Sequence, residues 1–152
     1  MHIRRYIPDD HSAALDIWLR ASRVGHPFFS EAELAEQRKL VASVYLPRAE
    51  NWVALDEDER LLGFIGLLKS FIGGLFVDPC VHGRGVGRAL IEHAAARKGR
   101  LTVEVYEANP IAPAFYNRMG FRLVRRRPFD DDGRPQPLLV LRRDPPGQAR
   151  QP

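Results

Sequence analysis

Cysteine is nearly absent: the 152-residue chain has one, Cys80. A single thiol excludes an internal disulfide and a cysteine-based zinc site. It also suits a reducing compartment, so the expected location is cytoplasmic. The five histidines (2, 11, 26, 82 and 93) form no H-E-x-x-H pair, so no metal is expected. No apolar run approaches the roughly 18 residues needed to span a bilayer, and no membrane partner is expected. Met1 to Tyr6 lacks the apolar core of a secretory leader. Glycine and proline, 12 of each, are too few for a low-complexity chain.

What is present is ordinary for a globular protein. Hydrophobic residues make up 45% and charged residues 28%, enough to build a core without staples. The length predicts one domain. We place it at 1–143, with a Pro/Gly/Gln tail over 144–152 expected to be disordered. Lysine is scarce: only Lys39, Lys69 and Lys98 among 23 basic residues, so the net charge of +4 is carried by arginine. Arg118, Arg122, Arg125, Arg126 and Arg127 cluster late in the chain. Such a cluster can serve a polyanion, but Asp130, Asp131 and Asp132 follow at once, and a balanced, solvated face is the expectation. No nucleic acid partner is expected.

The hydrophobic period changes along the chain. His2 to Ile7 reads as a strand that Pro8 stops, and Asp9 or Asp10 can cap the helix after it. Ala14, Ile17, Trp18 and Ala21 form that helix's stripe, and a loop over Val24 to Phe29 breaks it. Ser30 and Glu33 make a capping box, with Phe29 and Leu34 as its hydrophobic staple. Leu34, Val41, Val44 and Tyr45 continue a buried face up to Pro47. Asn51–Leu55 and Leu61–Leu68 read as a hairpin around the acidic turn 56–59. Phe71–Val77 is a further strand, and its Gly73-Gly74 pair predicts a bulge or the close approach of another backbone. A glycine-rich loop then leads into a helix carrying Val86, Leu90 and Ala94, ended by Gly99. Leu101, Val103 and Val105 alternate with polar residues on a half-exposed strand. Asn109 caps the next helix, with Pro110 at its first position, and Ala112, Phe115, Tyr116 and Met119 form its stripe. Strands over 121–126 and 138–141 close the order β-αα-βββ-α-β-α-ββ. The fold class is a mixed α/β (α+β) sheet, largely antiparallel, with one right-handed βαβ unit and helices on both faces.

Two stretches carry chemistry. In His82-Gly83-Arg84-Gly85-Val86-Gly87-Arg88, the glycines allow tight turns that expose successive amide N–H groups. The helix behind them adds the positive end of its dipole. The product is a site for phosphate or pyrophosphate. It is not a Walker A loop, because no Gly-Lys-Ser/Thr follows. The second stretch, Asn109-Pro-Ile-Ala112-Pro-Ala-Phe115-Tyr116-Asn-Arg-Met-Gly120-Phe121, resembles the Asn-x-x-Ala-x-x-Phe-Tyr-x-x-x-Gly-Phe signature of GNAT-family N-acetyltransferases. The loop at 82–87 resembles that family's Arg/Gln-x-x-Gly-x-Gly/Ala acetyl-CoA motif, with His82 at the position usually held by Arg or Gln. A closer resemblance is to small bacterial GNAT proteins described as peptidyl-lysine N-acetyltransferases. It rests on Trp52-Val53-Ala54, Leu75-Phe76-Val77-Asp78-Pro79, Glu107 just before Asn109, His26 before Phe28-Phe29-Ser30, and Asp131-Asp132-Gly133-x-Pro135-x-Pro137-Leu138-Leu139.

The resemblance implies a GNAT acyl-CoA N-acyltransferase fold and direct transfer of acetyl from acetyl-CoA to a primary amine. The amine belongs to a protein lysine or a small molecule. It implies that strands four and five splay to admit the pantetheine arm. Phe76, Val77, His82, Gly83, Arg84, Gly85, Val86, Gly87, Arg88, Asn109 and Tyr116 would then hold the donor. Tyr116 would be the general acid that protonates the departing thiolate. For the base, which must deprotonate an amine of pKa near 10.4, the alternatives are His26, Glu107 and, more weakly, Glu104. Gly73 and Gly74 stand where many members place a carboxylate. Cys80 is read as a packed or weakly exposed thiol rather than an acetyl carrier. Asp130–Asp132 is either a solvated turn or an attractant for a cationic acceptor. The competing reading is a non-catalytic acyl-CoA-binding sensor module. The molecule is expected to be a monomer or homodimer.

Overall fold

Strand β1 (His2–Arg5) ends before Pro8, which has no N–H to give the ladder. A 3-10 turn over Pro8–Asp10 leads into α1 (His11–Gly25). Asp10 does not cap α1 with its side chain. Its carboxylate instead accepts the Ile7 N–H at 2.9 Å and pairs with Arg4 at 2.8 Å. Helix α1 runs a turn further than its apolar stripe predicts, and Ser22 and Gly25 in that added turn are buried as well. The structure is a computed structural model and describes residues 1–147.

Helix α2 (Glu31–Leu40) begins as expected. Ser30 Oγ accepts the Glu33 N–H, and the Glu33 carboxylate accepts the Ser30 N–H in return. Its far end departs from a 3.6-residue period. A π-helical turn over Val41–Tyr45 leads into the short α3 (Leu46–Arg48). The wider turn shifts the phase by about one residue. Leu46 is therefore buried in place of Tyr45, which is 52% exposed.

Strands β2 (Glu50–Leu55), β3 (Leu61–Leu68), β4 (Phe71–Val77), β5 (Leu101–Tyr106), β6 (Arg122–Arg127) and β7 (Leu138–Arg143) complete one sheet in the order β1-β2-β3-β4-β5-β7-β6. Helix α4 (Val86–Lys98) crosses between β4 and β5, the one parallel pair, and α5 (Ala112–Arg118) follows β5. Helices cover both faces. On one side Ile17, Trp18, Leu34 and Leu46 pack on Val53, Leu55 and Phe64. On the other Leu90, Ile91, Ala94 and Tyr116 pack on Trp52, Ile65, Leu101 and Val103. Neighbouring β2 residues Trp52 and Val53 enter opposite cores, as the two-residue strand period requires. The predicted bulge is present: Gly66 faces Gly74 and Leu67 faces Ile72, so Gly73 has no partner.

The end of the described chain is tied down. Asp144 is buried and pairs with Arg100 at 2.8 Å and Arg122 at 2.6 Å. The tail expected from 144 on thus starts with an anchored residue, and its remainder from 148 lies outside the described residues. Among the described residues no helix is long and apolar enough to cross a membrane.

Candidate active site

Strands β4 and β5 pair only at their starts, Phe71 with Thr102 and Ile72 with Val103. Beyond that point they diverge and open a cleft of about 580 Å³. The end of α1, the glycine-rich loop, β4, β5 and α5 line it. The Gly73 bulge and the differing partners of the two strands (β3 for one, β7 for the other) hold the gap open.

One end of the cleft suits an anion. Gly83 and Gly85 have φ of +80° and +86°, which a side chain would strain. A Cβ at either would meet nothing within 4 Å, so the backbone here is open to a ligand. Gly85 stands immediately before α4, whose first amides have no intrahelical partner. Gly87 is required for another reason: a Cβ there would lie 3.0 Å from the Phe115 ring. Arg84 and Arg88 are exposed beside the loop. These residues fit a pyrophosphate. His82 is exposed too, but its Nε2 donates to the Val77 carbonyl at 3.2 Å. Its one neutral-state donor is therefore spent within the protein, which leaves the loop's exposed backbone and the Arg84 and Arg88 side chains as the groups that face solvent here.

Main-chain parity decides which β4 amides face the gap. The Asp78 N–H donates to the Leu62 carbonyl of β3 at 2.8 Å. Alternation along an antiparallel strand turns Phe76 toward β3 as well, and Leu75 and Val77 toward β5. Of the two expected amide positions, Val77 therefore has the right direction. Leu75, not Phe76, is its companion. The Phe76 ring meets Trp18 and Phe64 instead.

Tyr116 lines the cleft from α5 and is 4% exposed. The rings of Phe115 and Phe121 meet it edge-on at 5.2 and 5.0 Å. Burial pushes its phenol well above the ordinary range, so it stays a hydrogen-bond donor at neutral pH. Asn109 also lines the cleft. Its Oδ1 accepts the N–H groups of Ile111 and Ala112 at 2.9 and 3.0 Å, which is the expected capping role. The helix itself begins at Ala112, so Pro113 rather than Pro110 lies in its first turn. The Asn109 amide also abuts Gly25, where a Cβ would come within 2.9 Å of Nδ2.

The expected bases separate. His26 lines the cleft among the rings of Phe28, Phe29 and Tyr106, at 5.7, 5.8 and 5.3 Å. Burial depresses its pKa to about 4, and its Nδ1 is buried with no partner. Glu107 is not part of the cleft wall. Arg126 holds it at 2.6 Å and draws its carboxyl below the usual range. Glu104 lines the cleft but pairs with Arg127 at 2.7 Å. The acidic turn is not an open anionic patch either. Asp130 is buried and accepts the Tyr106 O–H, the Arg134 guanidinium and the N–H groups of Asp132 and Arg134. Asp131 pairs with Arg127 and Asp132 with Arg134. Arg122, Arg126 and Arg127 are likewise ion-paired, as a balanced face requires. Cys80 is exposed, outside the cleft wall.

Two further contributors come from the fold. Ser22 is 1% exposed, lines the cleft, and has an unpartnered Oγ. Its only sequence signal is its spacing of four from His26, which counts once α1 is known to reach Gly25. Arg20 grips Asp78 with two hydrogen bonds, at 2.6 and 3.1 Å, and so ties α1 to the segment leading into the loop. Among the described residues no group of three or more His, Cys, Asp or Glu is placed to hold a metal.

Residues 47–123 match the family described as acetyltransferase (GNAT) domain. A protein of Salmonella typhimurium described as peptidyl-lysine N-acetyltransferase YjaB is 39% identical over 141 residues, covering 93% of this chain and 97% of the relative. Its Escherichia coli K12 counterpart is 40% identical over 139 residues, covering 91% and 94%. The solution structure of apo-form YjaB from E. coli superposes with a TM-score of 0.85 at 40% identity, over 93% of this chain and 95% of that one. The PaiA N-acetyltransferase of Thermoplasma acidophilum, solved in complex with coenzyme A, shares the fold at a TM-score of 0.75 and 15% identity, over 94% and 98%.

Proposed function

The chain belongs to the GNAT family and is an acetyl-CoA-dependent N-acetyltransferase acting on amines, and we propose that its acceptor is a lysine side chain of a protein. The observation that carries this reading is the continuity of the cleft. One opening joins the glycine loop and Tyr116 to His26 and Ser22 at the end of α1. Donor and amine can therefore meet in a ternary complex. The relatives described as peptidyl-lysine N-acetyltransferases support the acceptor class.

Acetyl-CoA supplies the thioester. The amides at 83–88, with Arg84 and Arg88, hold its pyrophosphate. The Leu75 and Val77 main chain pairs with the arm in the β4–β5 gap and polarises the carbonyl. The Tyr116 O–H donates to the departing thiolate. A phenol raised by burial is a weaker acid than a thiol of pKa near 8.5, so its contribution is the hydrogen bond; the nitrogen loses its second proton to solvent as the C–S bond breaks, and solvent protonates the thiolate.

Deprotonation of the acceptor is decided by magnitude. Handing the proton of a lysine ammonium to a histidine of pKa about 4 is uphill by about 6 units, or roughly 9 kcal/mol. Losing it to water at pH 7 is uphill by about 3.4 units, or roughly 5 kcal/mol. The amine therefore sheds its proton to solvent on entering, and His26 serves as an acceptor of hydrogen bonds. Residues 1–143 work as one catalytic domain, in the cytoplasm, as a monomer or homodimer and without a nucleic acid partner.

Calorimetric titration with acetyl-CoA, beside CoA and ATP, tests the donor half. Acetylation of a lysine peptide by wild type and Tyr116→Phe tests the rest. CoA-specific binding with turnover that falls in Tyr116→Phe supports the reading. Binding without turnover on any amine, in either protein, would favour the non-catalytic sensor. That alternative draws on Gly73 and Gly74, which leave β4 without a carboxylate at its bulge.

A further inference from the structure

Two polar atoms in the cleft are buried without a hydrogen-bond partner: Ser22 Oγ and His26 Nδ1. They are four residues apart at the end of α1, where the His26 N–H donates to the Ser22 carbonyl at 2.7 Å. Ser22 stands in the last turn of α1, and His26 is the C-cap residue, whose φ of −123° and ψ of 58° turn the chain out of the helix. An orphaned buried polar atom costs about 1–3 kcal/mol, and two on the same stretch of the cleft wall point to a ligand group that satisfies them. Neither the glycine loop nor Tyr116 uses them.

We infer that Ser22 Oγ and His26 Nδ1 form the seat of the acceptor nitrogen, and that they select a neutral, unsubstituted primary amine. This rests on the acetyltransferase reading above and names what its acceptor half recognises. A neutral primary amine has two N–H donors and one lone pair. The serine oxygen and the bare imidazole nitrogen accept the two N–H bonds. The lone pair is left for the thioester carbonyl. An ammonium has no lone pair and brings a charge among the rings of Phe28, Phe29 and Tyr106, where desolvation opposes it. A secondary amine has one N–H, so it leaves one of the two atoms orphaned. The seat requires the His26 proton on Nε2, with Nδ1 bare. Edge contacts with Tyr106 at 5.3 Å and Phe29 at 5.8 Å hold the ring in place. The Tyr106 hydroxyl is itself fixed by Asp130 at 3.0 Å.

The test uses the full chain with acetyl-CoA. The acceptors are Nα-acetyl-lysine amide and its Nε-methyl analogue. Wild type is expected to prefer the primary amine by roughly ten- to hundred-fold in kcat/KM, the range set by one unsatisfied polar group. Ser22→Ala is expected to lose most of that preference while its acetyl-CoA affinity stays within two-fold of wild type. An unchanged preference in Ser22→Ala overturns the seat. Nitrogen-15 spectra of the imidazole give a readout independent of turnover. Nδ1 is expected to be the unprotonated nitrogen, and its signal is expected to shift when n-butylamine is added to the CoA complex. A proton on Nδ1, or no shift, also overturns the seat. The proposed function fails differently: no acetyl-CoA binding removes the donor site, and binding without lysine acetylation removes the lysine acceptor while the nitrogen-15 arm still judges the seat.

Discussion

The environment of His26 makes a prediction about stability that needs no substrate. In the unfolded chain this histidine titrates near 6.5, whereas in the folded protein burial holds it at about 4. Between those values the unfolded state binds more protons, so stability falls as pH falls through the window from about 6.5 to 4. Worked through, the group removes roughly 2 kcal/mol between pH 7 and pH 5 and roughly 3 by pH 4. For a domain of this size, 2 kcal/mol corresponds to about 4–8 °C in melting temperature. The perturbation is His26→Gln, which keeps a polar side chain and removes the titration. Thermal melts of both proteins are recorded from pH 7.5 to 4.5. Carboxylates and the other histidines contribute to both curves and cancel in the difference. Wild type is expected to lose about 2 kcal/mol more than His26→Gln between pH 7 and 5. Parallel curves across that interval would refute the account of a histidine buried and neutral among three aromatic rings.

Tyr116→Phe is expected to lower kcat by roughly two orders of magnitude, the lower end for loss of one preorganised hydrogen-bond donor to developing charge, with acetyl-CoA affinity by calorimetry unchanged. Gly85→Asp places a side chain on a φ of +86° and a negative charge in the anion site, so acetyl-CoA binding should weaken by at least about ten-fold in the same titration. Asp78, held at about 2 by the Arg20 guanidinium, stabilises the fold above pH 4 and loses that contribution as pH falls toward 2. After allowance for partial exposure, Asp78→Asn should cost about 1–2 kcal/mol in urea unfolding at pH 6 and almost nothing near pH 2. Asp130→Asn should release Tyr106 and the 128–137 loop, raising KM for the acceptor several-fold while acetyl-CoA affinity holds.

How much of this was legible in the sequence depended on how local each feature is. The Ser30–Glu33 capping box, the Gly73 bulge and the positive-φ glycines at 83 and 85 are each set by a few neighbouring residues, and each stands where the sequence puts it. The order of strands and helices along the chain follows from periods of 2 and 3.6 that hold across whole elements. The misses are long-range. Helix α1 ends beyond its apolar stripe, where Ser22 and Gly25 are buried in the cleft wall and Gly25 abuts Asn109, a contact no local period reports. The π-turn at 41–45 moved the buried residue from Tyr45 to Leu46. Glu107 looked available as a base because its partner, Arg126, is 19 residues away on β6.

The same contrast separates the two halves of the active site. The donor half is made of backbone amides, a helix terminus and two arginines inside a seven-residue run, and its chemistry needs little from the rest of the chain. The proposed acceptor half is made of side chains from α1 and its C-cap, β5 and the β6–β7 loop, held by contacts such as Tyr106 to Asp130 and Arg134 over the Phe29 ring. Its chemistry comes from what those contacts exclude. A histidine in water would be a half-charged base near neutral pH. Three rings around it leave a neutral imidazole with an unsatisfied nitrogen. That nitrogen cannot hold a lysine's proton, but it can accept an N–H bond. Substitutions that open the ring cluster around His26 Nδ1 should therefore damage acceptor binding before donor binding, although none of them would touch a residue of the glycine loop.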